Sequence, residues 1–169
     1  MKKSIRSHDK FYLNENFKEK PKESFKFILK KIQGSLNNKK IIDIGCSNGD
    51  FLYYISKKFP NSKTYGIDVD NNLIKKTKKE VPNIIKVFKQ DISKKLRINE
   101  KFDYIFMSGV HSIFDNCDKW FSNIVKLLNN KKSRIYIFGI WNDDDVDVII
   151  RMKKSSNEIA WEKGWNIFS

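Results

Sequence analysis

The chain has 169 residues and a mass of 20.1 kDa, a size that favours one domain. A hydrophobic content of 40% excludes a disordered chain, and two cysteines are too few for a disulfide scaffold. The sequence has no apolar run of the ~18 residues that a membrane-spanning helix needs. The formal net charge is +14, but 30 of the 34 basic residues are lysines, which predicts weak, salt-sensitive binding to polyanions.

The N-terminal residues 1–22 are polar and rich in lysine, and we predict that they form an irregular arm ahead of one domain over residues 23–169. No apolar segment of a signal peptide opens the chain, so we expect a cytoplasmic protein. Apolar side chains then recur at helical spacing from Phe25 to Ile32, which predicts the first helix. The short apolar run at residues 41–44 is typical of a buried parallel strand.

Helix-like and strand-like segments alternate along the rest of the chain. The pattern predicts helices over residues 48–59, 71–80 and 119–128, and strands over residues 64–67, 84–88, 102–107 and 134–141. Apolar strands that alternate with helices indicate an α/β fold: a Rossmann-like, doubly wound and mostly parallel sheet with helices on both faces. Such sheets bind their ligands outside the carboxyl ends of the strands, near the point where the strand order reverses.

A glycine-containing turn follows the first predicted strand, within the sequence IIDIGCSNGD of residues 41–50. Gly45 and Gly49 remove side chains where the backbone has to approach a ligand. Their spacing departs from the G-x-G-x-x-G pattern of dinucleotide-binding proteins, and the chain has no P-loop sequence. The sequence therefore lacks both the dinucleotide-binding and the P-loop type of phosphate-binding turn.

Acidic residues follow the second and third predicted strands. Asp68 ends the second strand, where a carboxylate in α/β nucleotide-binding folds accepts hydrogen bonds from ribose hydroxyls. The alternative is that Asp68 caps the next helix, a role for which Asp70 is the better candidate. Asp91 follows the third strand and could accept a hydrogen bond from an adenine amino group.

Four segments together resemble the motifs of class I S-adenosylmethionine-dependent methyltransferases, in that family's order and spacing. They are DIGCSNG at residues 43–49, GID at 66–68, QDI at 90–92 and FDYIFMS at 102–108. The resemblance implies S-adenosyl-L-methionine as the cofactor, bound by Asp43, Gly45, Cys46, Ser47, Gly49, Asp68, Val69, Asp91, Ile92 and Ser108. It also implies that Asp43 and Gly45 hold the methionine part, that Asp68 binds the ribose hydroxyls and that Asp91 faces the adenine.

The acceptor side of the site is less clearly marked. The segment after the fourth strand lacks the Asn/Asp-Pro-Pro-aromatic motif of enzymes of this fold that methylate the amino groups of bases. His111 in this segment is the candidate catalytic residue, as a base for a substrate hydroxyl; the alternative is that it packs beside the cofactor or fixes a loop. The acids of residues 143–147 could bind a metal or a basic substrate, but we predict that they cap a helix and offset nearby lysines, and that the chain has no metal site.

The segment SGVHSI at residues 108–113 and residues 161–169 also resemble bacterial methyltransferases of small-molecule and surface-sugar pathways. This resemblance implies a small-molecule acceptor, with a hydroxyl as the methylated group, in a sugar or natural-product pathway. The net charge of +14 supports one alternative, an RNA methyltransferase, and it also predicts non-specific binding to polyanions. A second alternative is a cofactor-binding protein, or a truncated form of an enzyme, without turnover.

The C-terminal region is short for this family. Only 28 residues follow Trp141, whereas the sheet of the resembled family normally has two more strands after the fifth. We predict a helix near residues 146–158 and a sheet that lacks those two strands. Its fifth strand would then expose an apolar edge. This edge would be partly covered by Trp161, Trp165, Ile167 and Phe168, or it would form a homodimer.

Overall fold

A computed structural model describes residues 12–153 and 161–169. Its elements, in chain order, are α1 (Glu23–Lys30), β1 (Lys40–Ile44), α2 (Asp50–Lys58), β2 (Lys63–Asp68), α3 (Asn71–Glu80), β3 (Ile84–Lys89), β4 (Tyr104–Ser108), α4 (Asp118–Val125), β5 (Arg134–Phe138), β6 (Arg151–Met152) and β7 (Glu162–Lys163). A single 3₁₀ turn, His111–Ile113, lies between β4 and α4. In the ranges that the structure describes, we find no helix with the length and apolarity that crossing a membrane requires.

Five strands form one parallel sheet in the order β3, β2, β1, β4, β5. Because β1 pairs with β2 on one side and β4 on the other, the direction of winding reverses between β1 and β4. The predicted α/β fold with a Rossmann-like parallel sheet is confirmed. Strands β6 and β7 pair only with each other, antiparallel, so the sheet within the described residues has the five strands that were predicted.

Helices cover both faces of the sheet, because the central strands send apolar side chains to each side in alternation. On one face, Ile42, Ile105 and Met107 pack against Trp120 and Ile124 of α4. The other face packs against α1 and α2 through a cluster that comprises Phe25, Ile28, Leu29, Ile41, Phe51, Ile55 and Phe106. A third cluster joins α3 to β3 through Ile74 and Val87. These clusters hold the carboxyl ends of β1, β2 and β4 in fixed relative positions.

The chain beyond β5 differs from its prediction. The fifth strand ends at Phe138, and residues 146–153 are not helical, while residues 154–158 of the predicted helix lie outside the described residues. The reason is tertiary: Val148 exchanges two backbone hydrogen bonds with Ile167, of 2.8 and 3.0 Å, which a helix would have used internally. The predicted caps of that helix, the acids of residues 143–147, therefore lie in a non-helical turn.

The C-terminal segment, residues 161–169, folds back over the region that follows β5. Phe168 is buried and forms a bridge with Trp141, and Asn142 donates a backbone hydrogen bond of 2.7 Å to Phe168. Trp161 and Trp165 remain largely exposed. Phe168 and Ile167 therefore pair with Trp141 and Val148, beyond the end of β5, while the described residues form no ladder along the outer edge of β5 itself.

The described part of the N-terminal arm, residues 12–22, is irregular apart from a short 3₁₀ turn, and it packs against the body of the protein. The Lys18 ammonium lies 2.8 Å from carboxylate oxygens of both Asp50 and Glu80. The Asn48 side chain donates to the Glu15 carbonyl at 2.7 Å. These contacts attach the arm to the first turn of α2 and the end of α3. The division into an arm and one domain stays a prediction.

Candidate functional site

The point where the strand order reverses is occupied by the glycine turn that follows β1. The backbone N–H groups of Gly45 and Cys46 donate to the Ile67 carbonyl of β2, at 2.8 and 2.9 Å. The turn has positive φ angles at Gly45, Ser47 and Gly49, of 71°, 51° and 80°. The Thr77 hydroxyl of α3 donates to the Ser47 carbonyl at 2.7 Å, which fixes the turn from the other side.

The structure explains the glycines at positions 45 and 49 by the packing of the turn, in addition to the predicted close approach to a ligand. A Cβ atom at Gly45 would overlap the side chain of Val110, from the loop after β4, and a Cβ atom at Gly49 would lie 2.6 Å from Val81 and 2.8 Å from Thr77. Both positions also have positive φ. Glycine is therefore required by the backbone conformation and by internal packing of the turn.

Asp68 lies against this turn and accepts three backbone hydrogen bonds. The N–H of Ser47 donates to Oδ2 at 2.8 Å, while those of Val69 and Asp70 donate to Oδ1 at 2.7 and 2.9 Å. A carboxylate offers about four acceptor positions, so about one remains, on Oδ2. Burial raises the pKa of Asp68, and the three backbone donors offset part of that shift.

Asp70, and not Asp68, caps α3. Its Oδ1 accepts hydrogen bonds from the N–H groups of Asn72 and Leu73, at 2.7 and 3.0 Å. This is the distribution of roles that the sequence favoured, and it leaves Asp68 directed toward the glycine turn.

Asp43 ends β1 beside Asp68, and we call these two residues the acid pair. Asp43 is 4% exposed and Asp68 is 9% exposed. Burial raises the pKa of Asp43 well above its ordinary value, and the negative charge of Asp68 raises it further. Two buried carboxyl groups at the reversal point create a negative potential that a cationic ligand would relieve, and they offer acceptors for hydroxyl groups.

Cys46 and Val69 border the acid pair in different ways. Cys46 is buried, with its sulfur facing Gly66, where a Cβ atom would lie 2.6 Å from it. Burial, with the nearby Asp43 and Asp68 charges, raises the pKa of its thiol, which therefore stays protonated. Val69 is 55% exposed at the end of β2, so its side chain is available to a ligand.

The third predicted acid, Asp91, lies at the end of β3 in a pocket of about 350 Å³. The pocket is lined by Lys89, Gln90, Asp91, Lys94, Lys95 and Arg97. Asp91 Oδ1 accepts hydrogen bonds from the N–H and the hydroxyl of Ser93, and the Arg97 N–H donates to Gln90 Oε1 at 2.7 Å. Ile92 is buried beneath this loop. The side chain of Gln90 thus serves to close the loop that follows β3.

His111 is fully buried at the acceptor side, two residues after Gly109. Its ring stacks on Trp141, with 4.6 Å between centroids, and occupies the space that a side chain at Gly139 would need. Nε2 lies 3.4 Å from the Ile140 carbonyl, and Nδ1 has no hydrogen-bond partner among the described residues. Burial lowers the pKa of the imidazole, so the ring is neutral at neutral pH. The base role of His111 stays a prediction.

The loop after Ser108, the last residue of β4, is fixed by a residue that the sequence reasoning missed. Asn166 is 1% exposed; its N–H donates to the Ser112 carbonyl and its side-chain amide to the Phe114 carbonyl, both at 2.7 Å. Its Oδ1 accepts from the Ile150 N–H at 2.9 Å. In the sequence, the one indication of this role was that Asn166 is a polar residue within the aromatic segment of residues 161–169.

No group of acidic, histidine or cysteine side chains within the described ranges could hold a metal ion. The acids of residues 143–147 are exposed and lie in the turn that follows β5.

Comparisons with known proteins identify the family of the chain. The sequence profile of the family described as "Methyltransferase domain" matches residues 42–131, which is more than half of the chain and contains every candidate site residue. The chain is 28% identical over 133 residues to protein 235L of Invertebrate iridescent virus 6, which carries a methyltransferase name. It is 26% identical over 127 residues to malonyl-[acyl-carrier protein] O-methyltransferase of Bacillus cereus.

The two alignments cover 78% and 74% of this chain, but 46% and 44% of the relatives, so the chain spans less than half of the length of these curated relatives.

Solved structures share the fold. A TehB-like SAM-dependent methyltransferase from Corynebacterium glutamicum has a TM-score of 0.61 at 22% identity, over 79% of this chain and 73% of that chain. The plantazolicin methyltransferase BpumL, solved with SAH and a pentazolic desmethylPZN analog, has a TM-score of 0.53 at 25% identity, over 78% of this chain and 48% of that chain.

The acid pair makes the stability of the ligand-free protein depend on pH. Burial raises the pKa of Asp43 in the folded protein above its value of about 4 in the unfolded chain. Between these two pKa values the folded protein retains a proton that the unfolded chain releases, so the free energy of unfolding falls as the pH rises through this range. We expect Asp43→Asn to increase the free energy of unfolding at pH 7, with a gain that shrinks toward pH 4. Urea titrations across this pH range measure it.

The control for this prediction is Asp144→Asn, which removes an exposed acid from the turn after β5. It should show no gain of this kind. Equal free energies of unfolding for the Asp43→Asn variant and the unchanged protein at pH 7 would contradict the argument.

Proposed function

Since this chain belongs to the methyltransferase-domain family, we propose that it transfers the methyl group of S-adenosylmethionine to a hydroxyl group of a small-molecule acceptor. The resemblance of its four motifs to class I S-adenosylmethionine-dependent methyltransferases is confirmed by the family match and by the fold. The observation that carries the proposal is the acid pair at the reversal point of the sheet. A sulfonium cation beside it would offset the burial of Asp43 and Asp68.

The residues around the acid pair suit the parts of such a cofactor. Asp43 and the backbone of the Gly45 turn would hold the methionine part. Asp68 would accept from one ribose hydroxyl rather than both, because its other acceptor positions are used by the backbone N–H groups of Ser47, Val69 and Asp70. Asp91, in the pocket after β3, would face the adenine amino group. The bound cofactor supplies the electrophilic methyl group, and the protein supplies position, which is worth ~7–11 kcal/mol in well-oriented reactions.

The acceptor side favours a molecule with an apolar part. Ile140 and Trp141 are 71% and 42% exposed at the end of β5, next to the loop that Asn166 fixes. One similar protein is named a malonyl-[acyl-carrier protein] O-methyltransferase, and another, the plantazolicin methyltransferase, was solved with a pentazolic desmethylPZN analog. These names and the exposed apolar residues support a small organic acceptor over a nucleic acid.

The proposal predicts methyl transfer from labelled cofactor to a small molecule. Purified protein is incubated with labelled S-adenosylmethionine and a cell lysate separated into RNA, protein and small-molecule fractions. We expect label in the small-molecule fraction. Label confined to RNA would contradict the acceptor class and favour the alternative that the net charge of +14 suggested. Cofactor binding without transfer to any fraction would favour a binding protein without turnover.

The matched variants for this assay are Asp68→Ala and Asp144→Ala, which remove one negative charge each. Loss of a charge-assisted hydrogen bond is worth about 1.5–3 kcal/mol, so Asp68→Ala should weaken S-adenosylhomocysteine binding about tenfold or more. Calorimetry measures the affinity, and Asp144→Ala should leave it unchanged. An unaltered affinity in Asp68→Ala would remove the ribose assignment.

We also propose that His111 positions the acceptor side of the site, with its buried ring supporting Trp141. With an acceptor identified, His111→Asn should raise KM while kcat changes little and the pH–rate profile keeps its shape. If His111 instead acts as the base, kcat should fall about 100-fold or more and an ionisation should disappear from the profile. The split between kcat and KM decides between the two roles.

The free edge of β5 supports a homodimer. The backbone N–H of Arg134 donates to the Asp103 carbonyl, and the backbone N–H of Gly109 donates to the Phe138 carbonyl. Because backbone groups alternate in direction along a strand, the N–H groups of Ile135 and Ile137 point away from β4, toward an edge that no described strand occupies. We expect sedimentation of a dimer at micromolar concentration. Ile137→Pro removes one outward N–H and should yield monomers that still bind S-adenosylhomocysteine. A monomeric unchanged protein would contradict the pairing.

A further inference from the structure

A second pocket lies at the opposite end of the sheet from the acid pair. It sits at the amino ends of β4 and β5, beside the residues that follow α1, and has a volume of about 330 Å³. We call it the amino-end pocket; it is lined by Lys31, Gln33, Tyr104, Lys132, Arg134 and Tyr136. Small-molecule sites in proteins start at about 300 Å³, so the pocket can hold one small ligand or one unit of a larger ligand.

The charge of the amino-end pocket is uncompensated. Three of its six lining residues are cations and none is an acid. In the described ranges, Lys31, Lys132 and Arg134 form no ion pair. Toward the rest of the described structure, the guanidinium of Arg134 donates through Nη1 alone, to two carbonyls of its own loop, which leaves Nη2 and Nε for a ligand. The nearby Asp103 carboxylate is engaged by a backbone N–H and a side-chain amide, at 2.9 and 3.0 Å.

Aromatic rings form another wall of the pocket. Tyr104 and Tyr136 lie on adjacent strands with 6.4 Å between ring centroids and 18° between ring planes. Both are half-buried, and burial raises the pKa of the Tyr136 phenol, so its hydroxyl stays protonated and can donate. Gln33 adds an amide group. The lining therefore combines cations, planar aromatic surface and neutral hydrogen-bonding groups.

This combination matches the chemistry of a nucleotide. Arginine and lysine neutralise phosphate oxygens, and a guanidinium fork suits their geometry. Tyrosine rings stack on the planar face of any base, which gives binding with little sequence preference. We propose that the amino-end pocket binds a nucleoside monophosphate unit, either as a free nucleotide or as one residue of a single-stranded nucleic acid. The site would act independently of the acid pair, because it lies at the other end of the strands.

Titration of the full chain with two probes tests the proposal. Adenosine monophosphate and a short single-stranded oligoadenylate are titrated by calorimetry at about 150 mM salt. Binding of both probes would identify a strand-binding site, and binding of the mononucleotide alone would identify a free-nucleotide site; either result supports the pocket. Absence of binding by both probes would overturn it. S-adenosylhomocysteine is titrated separately, so a failure here is distinct from a failure of the proposed methyl transfer.

Charge-matched variants locate the site. Lys132→Gln and Arg134→Gln should each weaken probe binding about tenfold, because each removes a charge-assisted contact. Lys78→Gln removes the same charge from an exposed position on α3 and should change the affinity less than twofold. Equal losses in all three variants would show attraction to the net charge of the whole surface and would overturn the pocket. Unchanged S-adenosylhomocysteine affinity in the variants verifies that they are folded.

Discussion

The burial of Asp43 and Asp68 side by side is the constraint on which the carboxyl end of the sheet depends. Two carboxyl groups in an apolar core are unfavourable unless donors or a cationic ligand offset them. Three backbone N–H groups donate to Asp68: those of Val69 and Asp70 follow it in the chain, and that of Ser47 comes from the turn after β1, which has positive φ angles at Gly45 and Ser47. The acid, the turn and the packing of Val110 against Gly45 therefore depend on one another.

The two ends of the sheet have opposite chemistry. At the carboxyl end, the loops present the acid pair at the reversal point of the strand order. At the amino end, the residue that follows α1 and those at the start of β5 place three cationic side chains around Tyr104 and Tyr136. A parallel sheet makes this separation natural, because every strand begins at one edge and ends at the other. A ligand at one end does not compete with a ligand at the other.

The region after β5 shows how tertiary contacts override local pattern. A run of acids followed by valines and isoleucines suggested a capped helix, yet Val148 and Ile150 pair with the C-terminal segment. That pairing places Asn166 where it can satisfy carbonyl groups of the loop after β4. Neither contact has a signal at short sequence distance, because the partners are separated by 16 or more residues along the chain. Burial of Phe168 accompanies the arrangement.

The sequence by itself determined the order of strands and helices as far as β5, the parallel sheet, the family motifs and the capping of α3 by Asp70 in preference to Asp68, because these follow from periodicity and from short-range capping chemistry. Only the tertiary structure decided how much of the Asp68 carboxylate remains for a ligand, that His111 is enclosed between Gly139 and Trp141, and that the amino-end pocket exists. These properties arise from residues far apart in the chain that share one space, and a linear pattern does not specify which of them meet.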